Sequence, residues 1–113
     1  MIAASVVLDA EGRIVRFEAS GHGGSAPTGR DIVCAAFTVL ARTAYETLAA
    51  LPGVEVEGEA PEPGILRFAV RRSDPAQAEK AAGIADFLLT GISGLEREYP
   101  GRVALKIERY WRE

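Results

Sequence analysis

The chain contains one histidine and one cysteine, and they stand twelve positions apart, as His22 and Cys34. A neutral imidazole can take a proton from a thiol, and the sulfur anion so formed attacks carbonyl carbon. The segment between them begins Gly21-His22-Gly23-Gly24 and ends Gly29-Arg30-Asp31-Ile32-Val33-Cys34-Ala35-Ala36. The glycines predict a loop around His22, too long for a minimal connector. Asp31 predicts a helix N-cap, since its carboxylate can accept from the backbone two or three residues on. Cys34 is then the third helical residue, where unbonded N–H groups and the positive end of the helix dipole favour negative charge and can bind an oxyanion. Thr38 follows one helical turn later, so its hydroxyl can face the same space. Asp31 can equally orient His22 or only cap the helix.

Other chemistries fit less well. The residue types also admit a bland reading, in which a lone cysteine beside an apolar helix face is a core residue and a lone loop histidine is solvated. Cys34 and His22 give two strong zinc ligands where a structural site wants four, and no metal or other cofactor is expected. No Gly-Lys-Ser/Thr follows the glycines, which excludes a phosphate loop. No Gly-x-Ser-x-Gly accompanies Gly21-His22-Gly23-Gly24, as it does in esterases. A thiol-transfer protein would need glutathione, because a resolving cysteine is missing.

The elements that position these residues are legible from periodicity. Ile2 to Leu8 reads as a strand, Asp9 to Gly12 as a turn, and Arg13 to Ala19 as a second strand with positions 15, 17 and 19 facing inward. This hairpin delivers Gly21-His22 off its end. A helix runs from Asp31 to about Leu51, with Val33, Phe37, Leu40, Ala44, Leu48 and Leu51 as its apolar stripe, and Pro52-Gly53 stops it. Strands are expected at 54–57, 65–70 and 102–108, with turn residues over 58–64. Asp74-Pro75 starts a second helix, whose expected stripe is Ile84, Phe87, Leu88, Ile92, Leu95 and Tyr99. Gly83, Gly91 and Gly94 are expected to let it lie close on the sheet. The order ββαββαβ predicts an α+β domain: a two-layer sandwich, both helices on one face of a mainly antiparallel sheet.

At 113 residues one domain over 1–113 is expected. Apolar residues make up 48%, enough for a core. A net charge of −3 argues against a general nucleic-acid binder. Arg71-Arg72 and the stretch Arg109 to Arg112 are short clusters expected on solvated surface. The apolar start ends at Asp9 without a basic region and does not read as a signal peptide. No membrane-length apolar run is expected, and the single cysteine excludes an internal disulfide framework and suits a reducing cytoplasm.

Gly21-His22 with Gly29-Arg30-Asp31-Ile32-Val33-Cys34-Ala35-Ala36 at this spacing closely resembles the ribosomal-processing cysteine protease family Prp. The resemblance covers nearly the whole chain. It implies a Cys–His dyad with Cys34 as nucleophile and His22 as base, with Gly21 and Asp31 matching the family pattern. It implies an endopeptidase that removes the N-terminal extension of the twenty-seventh large-subunit ribosomal protein, cutting after a short apolar, aromatic-rich motif. It also implies a homodimer. The family usually has Ser where this chain has Thr38; the hydroxyl survives, which implies retained chemistry in a tighter pocket. The glycines further predict that an apolar peptide orders the loop and assembles the His22–Cys34 pair. A non-catalytic peptide-binding ribosome-assembly factor is the alternative.

Overall fold

The computed structural model describes residues 1–21, 32–60 and 64–110. The elements follow in the order β1 (Ile2–Leu8), β2 (Ile14–Ser20), α1 (Ile32–Ala49), β3 (Val54–Glu59), β4 (Ile65–Ser73), a 3₁₀ turn (Pro75–Gln77), α2 (Ala78–Glu98) and β5 (Val103–Arg109). The five strands form one sheet ordered β3-β4-β2-β1-β5. Every neighbouring pair is antiparallel except β1 with β5. Both helices cover the same face, which is the two-layer α+β architecture expected.

The hairpin forms because Asp9 organises its turn. Its carboxylate accepts from the backbone N–H groups of Glu11 and Arg13 at 2.9 and 3.0 Å, and pairs with Arg13 Nε at 2.8 Å. The second strand departs from strict alternation. Val7 pairs with Arg16 and Leu8 with Ile14, so Val15 is an extra residue in the ladder. This bulge turns both Ile14 and Phe17 into the core, and Val15, expected inside, is only half-buried.

Alternation on β1 buries Ile2, Ala4, Val6 and Leu8 against the helices. The helix α1 buries Val33, Phe37, Ala41, Ala44 and Leu48. Its 18 residues are also apolar enough to match a membrane span in length and composition, which the sequence reading did not anticipate. Here that apolar stripe faces the sheet. Phe37 of α1 stacks on Phe17 of β2 with ring centroids 6.2 Å apart, and Phe17 stacks on Phe68 of β4 at 5.1 Å. Tyr45, two turns beyond Phe37, tilts against Phe68 at 5.6 Å.

The second helix differs from expectation in two ways. Asp74 caps through Ala76 N–H at 2.9 Å, but it caps the 3₁₀ turn that precedes α2. The buried stripe is Ala81, Ala85, Leu88, Ile92 and Leu95, and Phe87 is 72% exposed on the opposite side. Alanines occupy two of these five inner positions, and the helix also approaches a neighbour closely. That closeness is toward α1 at Gly91, where a Cβ would meet both Leu40 methyls at 2.9 Å. Gly83 has open space around it, and Gly94 meets only Arg97 at 3.9 Å, so these two do not bring the helix onto the sheet. Leu40, expected in the core, is accordingly half-buried between the helices. Arg71 lies on the solvated face, as expected, and pairs with Glu57 at 2.8 Å.

Candidate active site

The site is built at one end of the sheet. Strand β2 pairs with β1 and β4 up to Ser20, opposite Ala3 and Ile65. The next residue, Gly21, leaves the ladder at φ +102°. Its N–H donates to the Gly64 carbonyl at 2.9 Å. A Cβ at Gly21 would collide with the Met1 carbonyl oxygen, so only glycine fits this corner. The chain then continues to His22. The predictions for His22 and Asp31, and for the loop between them, fall on residues outside the described ones.

The chain re-enters at Ile32, the first residue of α1. Eighteen helical residues run about 27 Å, close to the ~30 Å of the nine-residue β4. After α1 the chain enters β3 at Val54, which pairs with Ser73 at the far end of β4. The start of α1 therefore lies toward the end of the sheet where Gly21 stands.

Cys34 is the third residue of α1, as expected. It is half-buried and packs against the core. The first turn of a helix leaves its N–H groups without intrahelical acceptors, which makes it a cradle for an oxyanion. No acidic residue of this first turn opposes negative charge there. Val33 and Phe37 flank Cys34 and are buried to 1% and 4% exposure. They fix the rotation of the helix, so Cys34 lies at the border between core and surface. Thr38, one turn on, is exposed on the same side. The helix thus sets a thiol and a hydroxyl in one row, the thiol partly buried and the hydroxyl-bearing residue exposed. Among the described residues no group of three or more His, Cys, Asp or Glu side chains is arranged to hold a metal.

Sequence reading missed Gly64. It is visible as turn chemistry beside Pro63, but its partner Gly21 is 43 positions away and is brought near only by the β2–β4 register.

A half-buried thiol in the opening turn of a helix is compatible with a thiol-dependent hydrolase, since the first-turn N–H groups can bind an oxyanion. The family described as cysteine protease Prp matches residues 1–104, and the chain belongs to that family. It is a cysteine protease.

Solved structures agree in fold. An essential ribosomal processing protease Prp from S. aureus, in complex with a covalently linked product peptide, superposes with a TM-score of 0.80 at 19% identity, covering 96% of this chain and 100% of the other. The S. aureus protease with a substrate peptide gives 0.74 at 20% identity, covering 96% and 100%. The protein SMU.848 from Streptococcus mutans gives 0.76 at 28% identity, covering 97% and 96%. No curated protein sequence matches the chain.

Proposed function

We propose that this protease removes the N-terminal extension of a large-subunit ribosomal protein, the twenty-seventh, using Cys34 as nucleophile and His22 as base. The placement of Cys34 in the first turn of α1 is the observation that carries this reading. Family membership and the peptide complexes of the S. aureus proteases support the substrate class.

In the proposed cycle His22 accepts the Cys34 proton as Sγ attacks the scissile carbonyl carbon. The oxyanion is held by N–H groups of the first turn of α1. The carbon–nitrogen bond breaks as His22 returns the proton to the leaving amine. Water, deprotonated by His22, then attacks the thioester and releases the acid and the thiol. Gly21 sets where the chain leaves β2 for His22, Asp31 caps the helix or orients the imidazole, and Thr38 contributes a hydroxyl beside the thiol.

The protein acts as a cytoplasmic homodimer in this proposal. Ile32 and Val39 on α1 and Phe87 on α2 expose 70, 65 and 72% of their surface, an apolar content suited to a second copy.

Cleavage of the N-terminal segment of the same organism's twenty-seventh large-subunit protein, followed by mass spectrometry, tests the reading. Native protein is expected to cut once, and Cys34→Ala and His22→Ala to cut nothing while remaining folded. Tight binding of that segment by the native protein without any cleavage would instead establish the assembly-factor alternative.

A further inference from the structure

Three pieces of backbone converge where β2 ends. Ser20 is the last residue paired on both sides, with Ala3 of β1 and Ile65 of β4. Gly21 follows at φ +102°, with its N–H bonded to the Gly64 carbonyl at 2.9 Å and its α-carbon closed off by the Met1 carbonyl. Gly64 is itself at φ +85°, a conformation that L side chains rarely adopt. Its carbonyl meets the Gly21 N–H in this left-handed setting. The two glycines therefore form one device across the β2–β4 register.

Its consequence follows from peptide geometry. The Gly21–His22 peptide unit is planar, so once the Gly21 N–H and φ are fixed only the Gly21 ψ stands between the sheet and the His22 α-carbon. We propose that Gly64 is a positioning residue for the reaction: by holding the N–H and φ of Gly21 it confines the chain's entry into His22 to rotation about the single Gly21 ψ. This rests on the Cys34–His22 reading above. The role falls to Gly64 because its carbonyl is the hydrogen-bond acceptor for Gly21, while the Met1 carbonyl supplies only a wall. A misplacement of ~1 Å in a reacting group can cost on the order of 100-fold in rate.

One other glycine makes the test clean. Gly12 lies at φ +79° with open space around it, in the turn that joins β1 to β2 at the opposite end of β2. Alanine there imposes the backbone strain of a positive φ without touching Gly21. The readout is the pH dependence of Cys34 alkylation by iodoacetamide, alongside kcat and KM for cleavage of the ribosomal N-terminal segment. Gly64→Ala is expected to lower kcat at least tenfold with little change in KM, and to move the alkylation profile toward that of His22→Ala. Gly12→Ala is expected to keep the native profile and kcat despite a similar fall in melting temperature. If Gly64→Ala yields no folded protein, the pair Gly64→Asn and Gly12→Asn carries the same comparison, since Asn tolerates positive φ better than most residues.

A Gly64 variant that tracks its Gly12 counterpart in every readout overturns the proposal and leaves the dyad standing. A native alkylation profile identical to that of His22→Ala, with cleavage unaffected by that substitution, overturns the dyad itself.

Discussion

Phe37 stacks on Phe17 with ring centroids 6.2 Å apart and an interplanar angle of 28°. This contact ties the helix that carries the thiol to the strand that ends at Gly21. Phe37 lies three residues after Cys34, nearly one turn, so the azimuth of the first turn follows the packing of this ring. The ring is 4% exposed and Phe17 is fully buried. Phe37→Ala is expected to cost about 3–5 kcal/mol in urea unfolding, from lost burial and the cavity left behind. Phe37→Leu fills much of the space and is expected to cost about 1–2 kcal/mol. Cleavage by folded Phe37→Leu protein is expected to fall in kcat, because the helix rotates against a smaller side chain. An unchanged kcat would show that the other core residues hold the rotation alone.

Thr38 supplies a separable test of the row on α1. Its side chain is exposed, so substitution there leaves the core intact. Thr38→Ser keeps the hydroxyl and is expected to keep kcat/KM within about twofold. Thr38→Val is nearly isosteric without the hydroxyl and is expected to lower kcat/KM about tenfold, the equivalent of one hydrogen bond of ~1.4 kcal/mol in the transition state. The melting temperature is expected to stay within 1–2 °C for both, a shift below that of a ~0.5 kcal/mol change in a domain of this size. Equal activity of the Val and Ser variants would remove the hydroxyl from the mechanism.

The two helices and five strands were legible because their signals are local. Alternation along Ile2–Leu8 and turn chemistry at Asp9–Gly12 each lie within a few residues. Cys34 as the third helical residue followed from the same kind of signal. The misses arise where tertiary contact decides. The extra residue Val15 shifts the inward face from 15 to 14, and only the β1–β2 register reveals it. Phe87 fits the 3.6-residue stripe as well as Leu88 does, but the rotation of α2 against the core puts Ala81 and Ala85 inside and leaves Phe87 outside. Gly64 reads as an ordinary turn residue until β4 is laid beside β2. The prediction for Thr38 needed only the helix start, whereas the role of Gly21 needed three segments far apart in sequence.

The exposed Phe87 ring gives the homodimer proposal a direct test. Burying an aromatic side chain of this kind between two copies contributes about 1.5–3 kcal/mol per ring. Phe87→Lys adds charge and removes that area. It is expected to convert a dimer into a monomer by light scattering at micromolar concentration, with circular dichroism unchanged because the position is outside the core. A dimer that persists in Phe87→Lys and in Val39→Lys would place the interface away from the outer side of the helices.

Gly91 and Gly83 stand on the same helix and separate propensity from packing. Glycine costs about 1 kcal/mol relative to alanine inside a helix. Gly83 has open space around it, so Gly83→Ala is expected to stabilise the protein by about 1 kcal/mol in urea unfolding. At Gly91 the same methyl would stand 2.9 Å from both Cδ atoms of Leu40. Overpacking costs about 1–3 kcal/mol, so the propensity gain is cancelled or reversed. The clash is with the end of a flexible, half-buried side chain, which identifies the compensating change. In a Leu40→Ala background the space is open, and Gly91→Ala is expected to recover the full gain seen at Gly83. The coupling energy of that double-mutant cycle is then about 1–3 kcal/mol, the size of the steric conflict. A cycle that closes near zero would mean that the Leu40 side chain swings aside at little cost, so that the methyl at Gly91 is accommodated without a steric conflict.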